Sequence, residues 1–419
     1  MTNRNRRTFV TAVGTAGAIG LAGCLSTVRE WRDDGGEPSA EARTPDEDGD
    51  DGALDLPGET IEDFEDLDGW AAMIDAGDLE AETDDPYAGS QSARLRAADG
   101  TDRAAVYQVR SDGIDLSDQN LSLAVNFTGR DQLHLTLELH APNSRNAYAM
   151  DRTLTGPTDR WVRVDFGTSE IDGDPDLTDV REIRLAARRR GDQSGSIDCR
   201  IDDLRAVDRP ETGNVMLLFD GTLESHYEHA LEPMADYDFA GVEAVIYEAL
   251  GESERLTIDQ LEELDDAGWD MAARPRTGAQ YLHDYSPEEQ EGAIRRTKAF
   301  LENRGFEDGA RHFVTPRNVL GPETIDLVRE YHEQAFRYGG GPNALPLTDP
   351  HNVGVFSGSD GETTKRYVDR AAEYGQLAVL HFEHIGEDGL STDDFEDLLE
   401  HIDDADVEVV TASELLEGS

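Results

Sequence analysis

Positive charge is what this chain has least of. Its 419 residues carry 37 Lys and Arg against 91 Asp and Glu, a formal charge of -54 at pH 7. A surface of that sign repels a phosphate backbone, which excludes general nucleic-acid binding. It also opposes folding through self-repulsion, which largely vanishes in molar salt, where the Debye length is about 3 Å. The acidic excess runs through every segment after residue 24 rather than a tail. We read it as adaptation to high salt of the haloarchaeal type; a calcium-loaded acidic secreted protein is the other reading. Aliphatic periodicity persists outside one linker, which excludes wholesale disorder.

Cysteine is nearly absent. Of the two, Cys24 and Cys199, the first lies in a leader region, so no intramolecular disulfide framework is expected. A comfortable membrane span, which needs about 20 apolar residues, is also missing from the N-terminus. The weakly apolar run Val10–Gly23 is too short. It follows Asn5-Arg6-Arg7-Thr8-Phe9-Val10, which resembles a twin-arginine export signal. It ends at Leu21-Ala22-Gly23-Cys24, which resembles a lipobox, where cleavage precedes the cysteine and lipid is added to its sulfur. An uncleaved N-terminal anchor is the alternative for residues 1–24. Either way the expected location is the extracellular face of the cell membrane. Residues 25–57 are rich in Asp, Glu, Gly, Pro and Ser, with Leu25, Val28, Trp31, Leu54 and Leu56 the large apolar side chains. Such a segment buries no core and is expected to be a disordered spacer with a reach on the order of 30 Å.

Residues 58–209 alternate with period two. Leu133, Leu135, Leu137 and Leu139 share one face of a strand, and His134, Thr136, Glu138 and His140 the other. Leu121, Leu123 and Val125 repeat the pattern, as do Val162, Val164 and Phe166. Short strands between Gly, Asp, Asn and Pro turns predict an antiparallel β-sandwich. The order of Asp63-Phe64-Glu65-Asp66, Trp70, Tyr87-Ala88-Gly89-Ser90 and the closing Ile201-Asp202-Asp203-Leu204 resembles jelly-roll carbohydrate-binding modules. That resemblance implies a calcium ion tying first strand to last, here through Glu65 and Asp203; a solvated acidic edge is the other reading. Asp203 has inward parity, so it requires either a buried partner or a bulge. Trp70 and Trp161 are core residues or sugar-stacking platforms. Cys199 is expected to be a small buried hydrophobe. Asn120 and Asn126 begin sequons, and the outward parity of Asn126 permits glycosylation.

From residue 213 to 417 apolar strands alternate with capped helices, the pattern of a parallel α/β fold. Ser286-Pro287-Glu288-Glu289 combines an N-cap, a first-turn proline and a capping-box glutamate. At the start, Val215–Phe219 breaks at Asp220-Gly221. This stretch resembles the first motif of the polysaccharide deacetylase family, where a buried strand ends in Thr-Phe-Asp-Asp-Gly. The resemblance covers residues 213–417 and implies an incomplete (β/α)7 barrel with its site at the C-terminal ends of the strands. It also implies a metal that polarises an acetyl carbonyl, with a base to take the proton of the attacking water.

Aligned without a gap, Asp220 takes the metal-ligand position and Phe219 the base position. Arg274 and Gly278 stand where the family has its two histidines. Pro316 alone survives of the third motif, in Val314-Thr315-Pro316-Arg317-Asn318. Leu380-His381 matches the last motif, and the parity of His381 with Leu377 and Val379 places it at the barrel mouth. Asp220 and His381 are therefore the candidate catalytic groups, with no metal expected in the barrel. Arg274, Arg276 and Arg317 are expected to converge at the mouth. There they would bind an anionic glycan, or pair with Asp220 and Asp270 and fill the vacated site. His226 and His229, at i and i+3, are a ligand pair, or residues of the helix surface or of interdomain packing.

Three functions remain open on this reading. The first is a lipid-anchored, glycan-binding deacetylase-like protein that has lost metal-dependent deacetylation. The second is an active hydrolase with a rearranged site, and the third a structural surface lipoprotein. The charge itself makes a prediction. Lowering salt from molar to about 0.1 M, where the Debye length grows to about 10 Å, should lower the melting temperature markedly and cost folded structure. A melting temperature constant over that range would overturn the salt-adaptation reading.

Overall fold

Period-two alternation becomes two facing antiparallel sheets in the computed structural model, which describes residues 56–128, 132–189, 195–386 and 389–418. The leader, Cys24 and the spacer up to residue 55 lie outside the described residues. The first sheet runs Asp78–Glu82, Ser92–Ala97, Ile197–Asp208, Gln119–Phe127, Val162–Phe166, with Glu59–Glu62 also on Ile197–Asp208. The second runs Thr168–Asp172, Ala147–Leu154, Leu133–His140, Val180–Arg189, Arg103–Ile114, Trp70–Ala72. Between them lie the inward leucines 133, 135, 137 and 139, with Leu121, Leu123, Val125 and Cys199. Trp70 belongs to this core, its ring 5.4 Å from that of Phe64. Trp161 is half-buried at the edge, its indole N–H donating to the Asp85 carbonyl and Arg200 stacked over its ring. Neither tryptophan stands free as a stacking platform.

Seven parallel strands then form a ring: Gly213–Asp220, Val242–Val245, Asp270–Ala273, His312–Val314, Gln334–Tyr338, Val353–Ser357 and Gln376–Phe382. The seventh pairs with the first from Asn214 to Phe219, so the ring closes. Met216, Leu218, Val242, Ala244, Ala272, Phe336, Val355 and Val379 fill the lumen. Val215, Leu217, Phe219, Met271, Leu380 and Phe382 face the surrounding helices. The predicted capping box at Ser286 and Glu289 starts the helix Pro287–Glu302. The last strand, Val407–Val409, joins the N-terminal half of the first strand and is not part of the ring.

The alternation of strands and helices breaks once. Between the fifth and sixth strands the chain makes a two-residue strand, Asn343–Ala344, and a single 3-10 turn, Pro350–Asn352, with no α-helix. The sandwich covers that place instead, using the outward face of its first sheet. Asn120 donates to the carbonyls of Leu345 and Gly375, at 2.9 and 3.1 Å, and Ser122 meets Thr348 at 2.5 Å. Outward parity on this strand therefore means facing the barrel. Asn126 is only 1% exposed and Asn120 3%, so neither sequon asparagine presents itself for glycosylation.

Three arginines, Arg152, Arg163 and Arg337, are buried in this region. Arg163 pairs with Asp203 at 2.7 Å, and its backbone N–H donates to Asp349 of the barrel. Thr348 donates to Asp165 at 2.6 Å. Arg152 donates to Asn343 and Arg337 to Asn352, each at 2.7 Å. A Cβ on Gly354 would sit 1.7 Å from the Arg152 guanidinium, so only glycine lets that side chain through. Removing one member of a buried ion pair such as Arg163–Asp203 typically costs about 3–5 kcal/mol, because the other charge is left without compensation.

Candidate functional site

Asp220 continues the inward parity of Met216 and Leu218 and so reaches the mouth at the end of the first strand. Arg274 follows the third strand with the parity of Ala272, and His381 lies on the seventh with that of Val379. The three side chains meet. Arg274 Nε forms an ion pair with Asp220 Oδ1, and His381 Nε2 lies 3.3 Å from Asp220 Oδ2. Burial alone would raise the Asp220 carboxyl, but the charge of Arg274 and the contact with His381 reverse this and hold it below its ordinary value.

This donor set does not fit a catalytic metal. Zinc at such sites usually takes three protein ligands. Only Asp220 and His381 of the family's positions offer donors here, and a guanidinium occupies the side of Asp220 that a cation would need. The base position is closed as well. Phe219 faces outward, fully buried, with its ring 4.8 Å from Trp269 and 5.2 Å from both Phe382 and His226. An acid at 219 would enter an aromatic layer.

Arg276 and Arg317 do not join the cluster. Arg276 pairs with Glu252 at 2.9 Å and donates to the Glu248 carbonyl. Arg317, exposed and with φ of 56°, lies over the Tyr281 ring and donates to the Ala279 carbonyl. Asp270 takes no arginine; it accepts from the backbone N–H and hydroxyl of Ser413. Gly278 is exposed, its N–H donating to the Tyr285 hydroxyl.

Glu65 and Asp203, the calcium candidates, each have protein partners. Glu65 accepts from the backbone N–H and hydroxyl of Ser90, closing the loop on which Gly89 sits. Asp203 pairs with Arg163 and Arg205 and sits at a bulge, with φ of 41°. The two alternatives anticipated for Asp203, a buried partner and a bulge, both occur. Among the described residues no three Asp, Glu, His or Cys side chains converge as a metal site.

Beneath the mouth His226 has a partner, Glu243, that the sequence reading missed. His226 is fully buried, not on a helix surface, with Nδ1 2.8 Å from Glu243 Oε2 and Nε2 on the Glu383 carbonyl. Glu243 also accepts from the Thr222 N–H at 3.0 Å. Burial pushes the Glu243 carboxyl up against the opposing pull of His226. For His226 burial acts downward, but Glu243, the Glu383 carbonyl and Asp220 together outweigh it and the imidazole is raised. The pair ties the turn after Asp220 to the second strand. A glutamate inside an otherwise apolar strand was the available signal.

A second candidate lies on the sandwich. The outward face of its second sheet carries a groove of about 340 Å³, with Arg103, Thr136, Glu138, Asp151, Arg184 and Arg188 among its lining residues.

No family model and no curated protein matches the chain. Solved structures do resemble it. One is a family 4 acetyl xylan esterase from Clostridium thermocellum in complex with a cobalt ion, 16% identical, covering 49% of this chain and 90% of that one, TM-score 0.35. Another is a family 4 carbohydrate esterase from Streptomyces lividans in complex with acetate, 13% identical, 49% and 88% covered, TM-score 0.33. A third is a family 11 carbohydrate-binding module from Clostridium thermocellum in complex with a β-1,3-1,4-mixed-linked tetrasaccharide, 13% identical, 36% and 96% covered, TM-score 0.28. At these identities and scores they carry no argument about chemistry.

The state of Asp220 gives a pH prediction. Its folded pKa lies below the unfolded value of about 3.9, so its contribution to stability is complete above that pH and is lost as pH falls through the folded value. Asp220→Asn should flatten the acid limb of stability measured by denaturant unfolding below about pH 4. An equally steep limb in the variant would show that Asp220 is not held in this way.

Proposed function

We propose that the chain is a glycan-binding protein built on a polysaccharide deacetylase-like barrel that has lost metal-dependent hydrolysis. One observation carries this reading: Asp220, the remaining ligand position of the first motif, is already neutralised by Arg274 and held by His381. Deacetylation through this barrel needs a cation on that carboxylate and a base beside it. Arg274 supplies a charge but no Lewis acid, and Phe219 accepts no proton. The barrel then serves as a rigid body, and the binding surface falls to the sandwich groove, whose hydroxyl, carboxylate and guanidinium groups match the hydroxyl-rich surface of a sugar chain.

A lipid on Cys24 and a place on the extracellular face of the cell membrane belong to the same proposal. A Cys24→Ala chain that stayed in the membrane fraction with unchanged mobility would remove the anchor from it.

Metal analysis combined with an acetate-release assay tests the loss of hydrolysis. Wild-type protein in high salt should carry no stoichiometric zinc and release no acetate from acetylated chito-oligomers. One tightly bound zinc with metal-dependent acetate release would overturn the reading. Release without metal that vanished in His381→Ala would favour a rearranged hydrolase.

A further inference from the structure

Resting on the glycan reading above, we infer that the ligand of the sandwich groove is an acidic sugar, and that Arg103 and Arg188 grip its carboxylate or sulfate. The registers of the second sheet lay out the groove as rows. Arg188 lies directly opposite Arg103 on one side and His134 on the other. In the next row Ala186 lies between Ala105 and Thr136, and beyond it Arg184 between Tyr107 and Glu138. At the far end Glu182 faces His140, which faces Ala147, which faces Asp172. At roughly 3.3 Å per residue, the row of Arg188 lies about 20 Å from that of Glu182.

The arginines of this face are not equivalent. Arg184 is held by Glu182 and lies 3.9 Å from Glu138. Arg103 and Arg188 are both exposed, and among the described residues neither has an ion-pair or hydrogen-bond partner. Acids outnumber bases 91 to 37 in this chain, so a carboxylate neighbour is the ordinary outcome for an arginine. Like charges directly opposite on adjacent strands destabilise a sheet. An anion between the two guanidiniums reverses that sign, and their fork geometry matches the paired oxygens of a carboxylate or sulfate.

The rest of the groove suits a sugar carrying such a group. Ala105, Ala147, Ala149 and Ala186 keep its floor low, and Tyr107 flanks it in the row of Arg184. Asp151 is committed to His134, Thr136 and Ser169. Glu170 and Asp172, at the end remote from the arginines, present acceptors for sugar hydroxyls. Repulsion from the remaining acidic surface does not forbid an anionic ligand. In molar salt, charges more than about 3 Å away are screened, whereas a guanidinium in direct contact still interacts with its anion.

Calorimetry on the full chain, at the lowest salt that keeps it folded, tests the inference. The probes are an oligogalacturonate, a sulfated galactan oligomer and a neutral xylo-oligomer of equal length. One or both acidic probes should bind at least about tenfold more tightly than the neutral one, and Arg103→Gln with Arg188→Gln should remove that difference. The two acidic probes distinguish carboxylate from sulfate. Both arginines are exposed, so circular dichroism of the double variant should match wild type. Arg96→Gln, on the other sheet, should bind as wild type does. Equal binding of neutral and acidic probes, or an acidic preference that survives in the double variant, would overturn the acidic-sugar inference and leave glycan binding standing. Absence of binding to every probe would overturn both.

Discussion

Arg163 reaches from the sandwich into the one sector where the barrel has no helix of its own. Its guanidinium holds Asp203 within the sandwich, and its backbone N–H holds Asp349 of the barrel. Around it, Asp165 receives Thr348, Arg152 reaches Asn343, and Arg337 reaches Asn352. Polar groups in such a place are costly unless satisfied, so this network does more than join two parts. It permits the fifth and sixth strands to be buried without a helix, and it fixes the two halves of the chain in one arrangement. The acidic composition sharpens the point. In a chain with few cations, three are fully buried here.

The barrel mouth follows the same electrostatic logic on a smaller scale. A carboxylate at the end of a parallel strand needs a positive partner when water is mostly excluded. Arg274 and His381 meet that need, and the aromatic packing of Phe219 closes the neighbouring position. Behind them His226 and Glu243 are wholly buried and bonded to each other. The region is therefore internally neutralised.

Much of this was legible in the residues, and the exceptions have physical reasons. The inward leucines at 133, 135, 137 and 139 are read directly from period-two spacing, and the parity of His381 with Val379 placed it correctly at the mouth. Strand parity is local, so sequence carries it. The destinations of Arg276 and Arg317 are not local. Arg276 meets Glu252, which lies on the preceding connection, and Arg317 lies on a left-handed turn that directs it toward Tyr281. Parity also misled at Asn126, because outward from the sandwich is inward to the molecule. The pairing of His226 with Glu243 links a helix to a strand that follows it, and periodicity within either element gives no sign of it. Nor did any pattern in Gly339–Asn352 reveal that a neighbouring domain would take the place of a helix.

Gly354 shows how closely the two halves of the chain fit. The residue leaves a space in a barrel strand that the Arg152 guanidinium of the sandwich enters. Shortening Arg152 would leave that space unfilled, and a side chain at 354 would force the guanidinium to move from its place on Asn343. Each half therefore limits which residues the other can carry at this contact.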